Sequence, residues 1–364
     1  MFPTVLSDGI EIGYAYTSFK WENNAKKNAG VSVAVISLRH GPVTEKKIFV
    51  DDIQSPAINI NGYLADGPTI YINRRSKPLG PLPRMVRGSQ PSDGGHLIFS
   101  IEERNRLVQQ YPSANQYLRK YMGSSEFINS GERYCVWIEK SKTEHAKGIP
   151  PLRERASLVQ SFRRNRKDEP TRNFANFPLS FKQPAYKPTD SIIVPSVSSE
   201  RREYIPIGYL GPDTVISNAA FAVYDAEPWL FGLLTSRMHM VWTRAVGGKM
   251  KTDYRYSNTI VYNNFPVRDL TGAEKQELTE KAFRILDVRE YHCEQTLAQL
   301  YDPDLMPANL RQAHAEVDRF VDGLYSKRPY ETDEDRLSDL FAKYEEMIEA
   351  EEAAKPKKNS RKKA

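Results

Sequence analysis

The stretch VSVAVISL, residues 31–38, decides how the fold begins. It is rich in β-branched residues and carries no charge, which is typical of a strand buried on both faces of a sheet. Upstream, Ile10, Ile12, Tyr14 and Tyr16 alternate with small or polar residues and predict a second strand. Two strands cannot bury a core of their own. We therefore expect residues 1–55 to be the end of a sheet whose earlier strands are not in this sequence.

The next region, residues 56–266, is rich in proline, aromatic residues and arginine. Short strand-like runs occur at residues 70–72, 134–138, 192–194, 204–209 and 259–262. Helical patterns occur at residues 101–110 after a Ser100 N-cap, at residues 113–121, and between Glu227 and Gly247. The region is predicted to be a mixed α+β domain with long loops, and long loops are where binding residues tend to lie.

The carboxy-terminal region changes to helical character after Pro266. Thr271 and Glu274 have the spacing of a capping box. Three apolar stripes follow at helical spacing, within residues 278–286, 310–324 and 337–348. We expect a helical region at residues 267–350 and a disordered basic tail at residues 351–364. The predicted fold class of the whole chain is α+β.

Composition narrows the function. The 364 residues are 40% hydrophobic and 27% charged, as in soluble globular proteins, and no apolar run is long enough to span a membrane. The two cysteines, Cys135 and Cys293, fit a reducing cytoplasm, and Cys135 is predicted to be a buried strand thiol. The net charge of +6 favours nucleic acid weakly, but residues 140–210 concentrate fourteen Lys/Arg against seven Asp/Glu.

Motifs for catalysis, cofactors and metals are not found in the sequence. It has no glycine-rich phosphate loop, no HExxH pair and no GxSxG elbow. Gly94-Gly95 is interpreted as a turn, and Glu45-Lys46-Lys47 as a surface turn rather than a nuclease site. Asn263-Asn264-Phe265-Pro266 superficially resembles the Asn-Pro-Pro-aromatic loop of adenine methyltransferases, but its residues are in the wrong order. We therefore predict no catalytic, cofactor or metal residues in this chain.

Seven stretches, in a consistent order through almost the whole chain, carry a family resemblance. They are TSFKWENNAKKNAGVSVAVI (17–36), INRRSKPLG (72–80), MVRGSQPSDGGHLIFS (85–100), GSSEFINSGERYCVWI (123–138), VPSVSSERREYIPIGYL (194–210), RAVGGKMKTDYRYSNTIVYNNFP (244–266) and LYDPDLMPANLRQAHAEVDRFVDGLY (300–325). Together they resemble the MmeI-like restriction–modification enzymes, in which one long chain carries nuclease, methyltransferase and target-recognition domains.

The resemblance implies a division of labour. Residues 1–55 correspond to the terminal strands of an α/β methyltransferase domain, residues 56–266 to the target-recognition domain, and residues 267–350 to the carboxy-terminal helices. The implied activity is S-adenosylmethionine-dependent adenine-N6 methylation of double-stranded DNA. The cofactor loop, the catalytic motif and the nuclease would lie upstream, so S-adenosylmethionine is expected only for the complete enzyme and none in this chain.

Three functions follow from this resemblance. The chain is a specificity module working with a partner chain that carries the methyltransferase part, or it acts as a methyltransferase outright with the missing half fused or supplied in trans. The third alternative is a non-catalytic DNA-binding remnant or decoy from a truncated gene. All three place the chain in the cytoplasm with duplex DNA, and none involves a membrane.

Candidate DNA contacts are chosen by side-chain chemistry. Lysine and arginine bind phosphates, whereas arginine and glutamate can read base edges in the major groove. Four clusters fit: Arg163, Arg164 and Arg166 with Arg172; Glu200, Arg201 and Arg202; Lys249, Lys251, Arg255 and Tyr256; and Lys77, beside Arg74 and Arg75. For each cluster, the alternative is a solvated surface without a ligand.

Overall fold

The structure is a computed structural model that describes residues 2–20, 32–42, 44–50 and 53–354. The strands in these ranges are β1 Ile10–Lys20, β2 Ser32–His40, β3 Lys46–Val50, β4 Ile53–Ala57, β5 Val86–Arg87, β6 Ile98–Ser100, β7 Leu118–Met122, β8 Arg133–Val136, β9 Ser191–Pro195, β10 Val197–Ser198, β11 Gly208–Leu210, β12 Thr214–Ile216, β13 Ala220–Tyr224, β14 Gly248–Met250 and β15 Asp253–Arg255. The fold class is α+β, as predicted from the sequence.

The helices mix with the strands along the chain. They are α1 Phe2–Val5, α2 Ile101–Gln110, α3 Ser124–Ile128, α4 Thr143–Lys147, α5 Pro150–Arg164, α6 Glu169–Asn173, α7 Pro228–Leu234, α8 Arg237–Val246, α9 Gly272–Tyr291, α10 Leu297–Leu300, α11 Ala308–Tyr325 and α12 Asp333–Ala353. The chain forms two compact units. The first unit comprises Met1–Pro83, Ser236–Lys275 and Ala315–Ala364, and the second comprises Arg84–Thr235 and Gln276–His314.

The first unit contains a four-stranded sheet in the order β2-β1-β3-β4. β1 pairs parallel with β3, while the β1–β2 and β3–β4 pairs are antiparallel. An irregularity in the β1–β2 register between Ile12 and Tyr14 reverses the alternation of side chains. Ile12 and Ala15 are therefore buried, whereas Tyr14 and Tyr16 are exposed on the other face. There Tyr16 stacks on Phe49 with ring centroids 4.3 Å apart.

Two predictions for this sheet are wrong about the surroundings of the residues concerned. The strand within residues 31–38 exists as β2 in its described part, but it is an edge strand, with Val35 46% and Leu38 48% exposed. The prediction that this strand is buried on both faces is therefore wrong. The predicted surface turn at residues 45–47 lies largely in β3. There the buried ammonium of Lys46 pairs with the Glu11 carboxylate at 2.9 Å.

Aromatic packing dominates the remainder of the first unit. Trp242 of α8 is fully buried, its ring meets those of Phe341 and Tyr344 of α12, and its Nε1 donates to the Val261 carbonyl at 3.0 Å. The predicted strand at residues 259–262 is instead a turn that leads into a short 3-10 helix, Tyr262–Asn264. The strand predicted at residues 70–72 is an irregular segment.

The second unit holds two four-stranded sheets, β11-β9-β13-β5 and β12-β7-β8-β6. α5 presents Leu152, Ala156 and Val159 to a core that also contains Cys135, whose thiol is buried as predicted. Burial in this apolar core raises the pKa of Cys135 well above its ordinary value. The thiol is therefore inert, and its role is packing.

In the second unit, the helix prediction that rested on an N-cap residue is confirmed. The Ser100 hydroxyl accepts from the Glu103 amide at 3.2 Å and α2 spans residues 101–110, as predicted. The predicted helix at residues 113–121 is wrong, because a 3-10 helix at residues 112–117 gives way to β7. The predicted strand at residues 204–209 begins only at Gly208.

One predicted helix is two helices. α7 ends where the Thr235 hydroxyl donates to the Phe231 carbonyl at 2.9 Å, and the Ser236 side chain caps α8. The three apolar stripes predicted after Pro266 lie on α9, α11 and α12. α12 continues to Ala353, so the predicted start of a disordered tail at residue 351 is wrong, and residues 355–364 lie outside the described residues. The Thr271 and Glu274 capping box is confirmed by reciprocal bonds of 2.8 and 3.3 Å. In the described part of the chain, no helix is long and apolar enough to cross a bilayer.

Candidate nucleic-acid interface

Arg163 was predicted to contact DNA phosphates, and the structure corrects this. Its side chain is 0% exposed in the last turn of α5. The guanidinium donates to five backbone carbonyls: Ser92 at 2.9 Å, Phe177 at 2.7 Å, Pro91 at 2.7 Å, Ser180 at 2.8 Å and Phe174 at 3.5 Å. Because burial penalises the charged form, it lowers the pKa of Arg163 to about 10, which still leaves the group protonated at neutral pH. Arg163 is a structural tie between two loops and cannot reach a phosphate.

The turn tied down by Arg163 is the one predicted at Gly94-Gly95. The Asp93 carboxylate accepts from the Gly95 amide at 3.1 Å and the Leu97 amide at 2.5 Å. Gly94 has a φ of +70°, and a Cβ there would lie 2.8 Å from the Phe162 ring. The turn prediction is confirmed, and the glycine is required both by its backbone conformation and by the close approach of the ring.

The residues that follow Arg163 do face solvent. Arg164, Arg166 and Lys167 are exposed and, within the described residues, form no ion pair. The Arg166 guanidinium lies over the Phe162 ring, 5.3 Å from its centroid. Arg172 donates to the carbonyls of Arg166 and Lys167 at 3.1 and 2.5 Å, so its side chain holds the turn that presents them. This exposed group, residues 164–167, is called the basic loop below.

The cluster at Glu200, Arg201 and Arg202 lies just after β10. Glu200 and Arg201 are exposed, whereas Arg202 is partly buried. The Arg201 guanidinium pairs with the carboxylates of Asp304 at 2.5 Å and Asp302 at 3.8 Å. An exposed ion pair of this kind stabilises by only ~0–1 kcal/mol, so it does not take Arg201 out of reach of DNA. The acidic LYDPDL stretch could have suggested this partner from the sequence.

A buried network underlies that cluster, and sequence reasoning did not find it. The Tyr301 hydroxyl bonds His314 Nε2 at 2.7 Å and accepts from the Arg289 guanidinium, whose Nη1 donates to the Ile207 carbonyl at 2.7 Å. The His314 ring also stacks on Tyr204 with centroids 4.2 Å apart. Burial, followed by the nearby Arg289 charge, lowers the pKa of His314 well below its ordinary value. The histidine is neutral at physiological pH and packs against Tyr204, two residues after Arg202.

The third predicted cluster forms an exposed hairpin, with one exception. β14 and β15 pair antiparallel, and Lys249, Lys251 and Arg255 are exposed. Lys251 occupies the turn with a φ of 59°. Tyr256 is buried instead, and its hydroxyl lies 3.1 Å from His239 Nε2. Its prediction as a DNA contact is therefore wrong, because the phenol is buried inside the first unit, and this burial raises its pKa.

The fourth cluster lies on an irregular segment of the first unit. Arg74 and Lys77 are exposed, whereas the Arg75 guanidinium turns inward and pairs with the Glu351 carboxylate. Throughout the described ranges, no group of three or more His, Cys, Asp or Glu side chains is placed to hold a metal ion. What the structure offers is therefore a set of exposed cations on loops and a hairpin.

Comparison with known proteins adds three family models that match consecutive parts of the chain. They are described as the MmeI DNA-methyltransferase domain, matching residues 1–50; the MmeI target recognition domain, matching residues 66–269; and the MmeI C-terminal domain, matching residues 270–350.

Two similar proteins extend the comparison. DNA methyltransferase A of Bacillus subtilis (strain 168) is 44% identical over 346 residues, which cover 94% of this chain and 39% of that protein. A solved structure of the Type IIL restriction-modification enzyme MmeI in complex with DNA superposes with a TM-score of 0.85 at 36% identity, covering 96% of this chain and 47% of that one. The chain thus spans less than half the length of either protein.

Proposed function

This chain belongs to the MmeI family of DNA methyltransferases, and from that premise we propose that it binds duplex DNA as the target-recognition and carboxy-terminal part of a restriction–modification enzyme. The observation that carries the proposal is the exposed positive charge on three segments inside the target-recognition match. These are residues 74–77, the basic loop, and the β14–β15 hairpin. In the described part of the chain, Lys77, Arg164, Arg166, Lys249 and Lys251 form no ion pair with an acidic side chain. The solved MmeI structure contains DNA, which is consistent with such a role.

The proposed contacts divide into two kinds. One set of side chains would bind DNA phosphates, or position groups that bind them, and so give affinity without sequence preference. These are Arg164, Arg166, Arg172, Lys249, Lys251, Arg255 and Lys77. Glu200, Arg201 and Arg202 would read base edges, since glutamate accepts from cytosine and arginine donates to guanine. The base-reading assignment is supported by the exposure of Glu200 and Arg201 and by the buried network that contacts the nearby Tyr204 and Ile207, because a rigid support is what precise readout requires.

Salt-dependent binding tests the phosphate-binding part. Fluorescence anisotropy of a labelled duplex should give a logarithmic affinity that falls linearly with the logarithm of salt concentration, by about 0.9 for each phosphate neutralised. The Arg164→Ala/Arg166→Ala double variant should weaken binding to all sequences about equally and reduce that slope by about 1.8.

A matched control removes the same charge elsewhere. Lys147 and Lys187 are also exposed lysines of the second unit, but each already pairs with a carboxylate, on Glu144 and Asp225. Lys147→Ala/Lys187→Ala should leave the salt slope within about 0.3 of the unaltered chain. DNA binding whose affinity does not depend on salt, or an equal decrease of the salt slope in both double variants, would contradict the proposal.

Methyl transfer itself is proposed to need residues outside this chain. The target base is adenine-N6 and the cofactor of the complete enzyme is S-adenosylmethionine, both inferred from the family. The missing methyltransferase part would be joined in the same polypeptide or provided by a partner chain, packing on the exposed Tyr14, Tyr16 and Phe49 face of the first unit. Support comes from the match of residues 1–50 to the MmeI DNA-methyltransferase domain, from the chain covering 39% of a similar DNA methyltransferase, and from the contiguous aromatic surface.

Calorimetry and co-purification test this division. The chain alone should show no saturable S-adenosylmethionine binding, and a Tyr16→Glu variant should fail to retain an upstream methyltransferase region that the unaltered chain retains. Micromolar cofactor binding by the chain alone would contradict the proposal. The domain limits at residues 55, 266 and 350, and the cytoplasmic location, belong to the same proposal.

A further inference from the structure

The Asn263-Asn264 pair, which sequence analysis noted for its likeness to a catalytic loop, has a different place in the structure. Both side chains are buried in the 3-10 helix at residues 262–264. The Asn263 Nδ2 donates to the carbonyl of Arg75 at 2.7 Å, and the Asn264 Nδ2 donates to the carbonyl of Asn73 at 3.0 Å. Both hold the backbone of the segment that carries Arg74 and Lys77.

Further contacts fix the same segment along its length. The Arg75 amide donates to the Thr259 carbonyl at 2.9 Å, and the Leu79 amide donates to the Asn263 carbonyl at 2.8 Å. At Gly80 a Cβ would lie 2.5 Å from the Val267 carbonyl, so the two backbones approach as closely as a glycine allows. A segment without regular secondary structure is thus bonded at residues 73, 75 and 79 and closely packed at residue 80.

The side chains of this segment differ in exposure. The Arg75 guanidinium pairs with the Glu351 carboxylate, while Arg74, Ser76 and Lys77 are exposed. In the described residues neither Arg74 nor Lys77 has an acidic partner. Two cations on a fixed backbone bind a phosphate with less loss of conformational entropy than two cations on a mobile loop.

We propose that Asn263 and Asn264 are positioning residues that hold residues 73–80 so that Arg74 and Lys77 grip the phosphate backbone of duplex DNA. The inference rests on the proposed DNA binding and adds to it a new contact, Arg74, and the device that orients it. The phosphodiester backbone is the ligand, so the contact raises affinity for every sequence and carries no base preference.

The test uses the full 364-residue chain and a labelled duplex, with anisotropy measured over a range of salt concentrations. Arg74→Ala/Lys77→Ala should lower the salt slope by about 1.8, corresponding to two phosphates. Asn263→Ala and the nearly isosteric Asn263→Asp both remove the Nδ2 donor, and each should lower the slope by about 0.9 or more. Adding Asn263→Ala to the Arg74/Lys77 double variant should have no further effect on the slope, because residues acting through one contact are not additive.

A matched control separates positioning from general stability. Asn61 is a fully buried amide of the same unit, and its Oδ1 closes a different turn by accepting from the Tyr63 amide at 2.9 Å. Asn61→Ala should lower the melting temperature while leaving the salt slope unchanged.

Two results would overturn the inference while DNA binding stands. In one, Asn263→Ala behaves like Asn61→Ala; in the other, Arg74→Ala/Lys77→Ala leaves the slope of a DNA-binding chain unchanged. Failure of the proposed function is a different result, because the unaltered chain would then show no salt-dependent binding at all.

Discussion

Arg163→Ala should destabilise the second unit rather than weaken DNA binding directly. The substitution removes a fully buried guanidinium that donates to five carbonyls. The carbonyls of Pro91, Phe174 and Phe177 still accept from the backbone amides of Lys182, Phe177 and Ser180, so those of Ser92 and Ser180 are the ones that lose their donor. At about 1–3 kcal/mol for each acceptor left unsatisfied, the loss is about 2–6 kcal/mol. Domains are stable by about 5–15 kcal/mol, so the loss is a large fraction of the total. Arg163→Lys keeps the charge, but one ammonium cannot reach all of these separated carbonyls, and about half of the loss should remain.

Urea denaturation followed by circular dichroism measures this loss, with DNA anisotropy on the same samples. Arg164→Ala is the neighbouring control, because its exposed side chain should change the free energy of unfolding by no more than about 0.5 kcal/mol. We expect Arg163→Ala to be destabilised and Arg164→Ala to bind DNA less tightly at unchanged stability. An Arg163→Ala chain with ordinary stability and reduced DNA affinity would show that the buried placement of Arg163 is wrong.

Three further predictions concern the histidine network, the hairpin and the readout turn. Because the pKa of His314 is lowered in the folded chain, the unfolded chain binds the proton more tightly. Stability should therefore fall as pH drops below about 6.5, by at most ~1.4 kcal/mol per pH unit. His314→Gln should flatten this dependence in urea titrations between pH 7 and 5, and an unchanged difference between the two pH values would contradict the assignment. Charge reversal by Lys249→Glu/Lys251→Glu should weaken duplex binding at least about tenfold at low salt, without changing the melting temperature, because both side chains are exposed. Equal affinity would exclude the hairpin from the interface. Exchange of Glu200 and Arg201 in a chain reconstituted with its methyltransferase region should alter the methylated sequence, since a bidentate contact discriminates by ~1–3 kcal/mol. A methylome with the same motif but lower occupancy would assign these residues to phosphate contact instead.

Local signals in the sequence predicted well. The caps at Ser100 and Thr271 and the turn at Gly94-Gly95 were correct because each depends on hydrogen bonds or backbone angles within a few residues. The apolar stripe of α9 was also correct, with Leu278 and Ala282 buried at helical spacing. In such cases both partners of the interaction lie within a few residues of each other in the sequence.

The direction in which a side chain points and the depth at which it is buried were harder to predict, since both depend on partners far along the chain. Arg163 and Arg164 are adjacent and chemically identical, yet Arg163 is buried and donates to carbonyls at residues 91 and 180, whereas Arg164 is exposed. Tyr256 lies in a basic stretch of the sequence, but its side chain is buried and its hydroxyl bonds to His239. The strand within residues 31–38 was recognised, but the exposure of Val35 and Leu38 depends on which elements pack on the sheet, and composition does not encode those contacts.

The second unit is assembled from two separate stretches, Arg84–Thr235 and Gln276–His314, and this limits how specificity can be exchanged between relatives. A chimera that imports only the longer stretch would place a foreign backbone above Arg289 and His314, which here bond the Ile207 carbonyl and stack on Tyr204. Recombination that preserves function must therefore carry both stretches together, or keep the residues through which they meet. On the proposed function, sequence recognition would be inherited through both segments together rather than through the longer one alone.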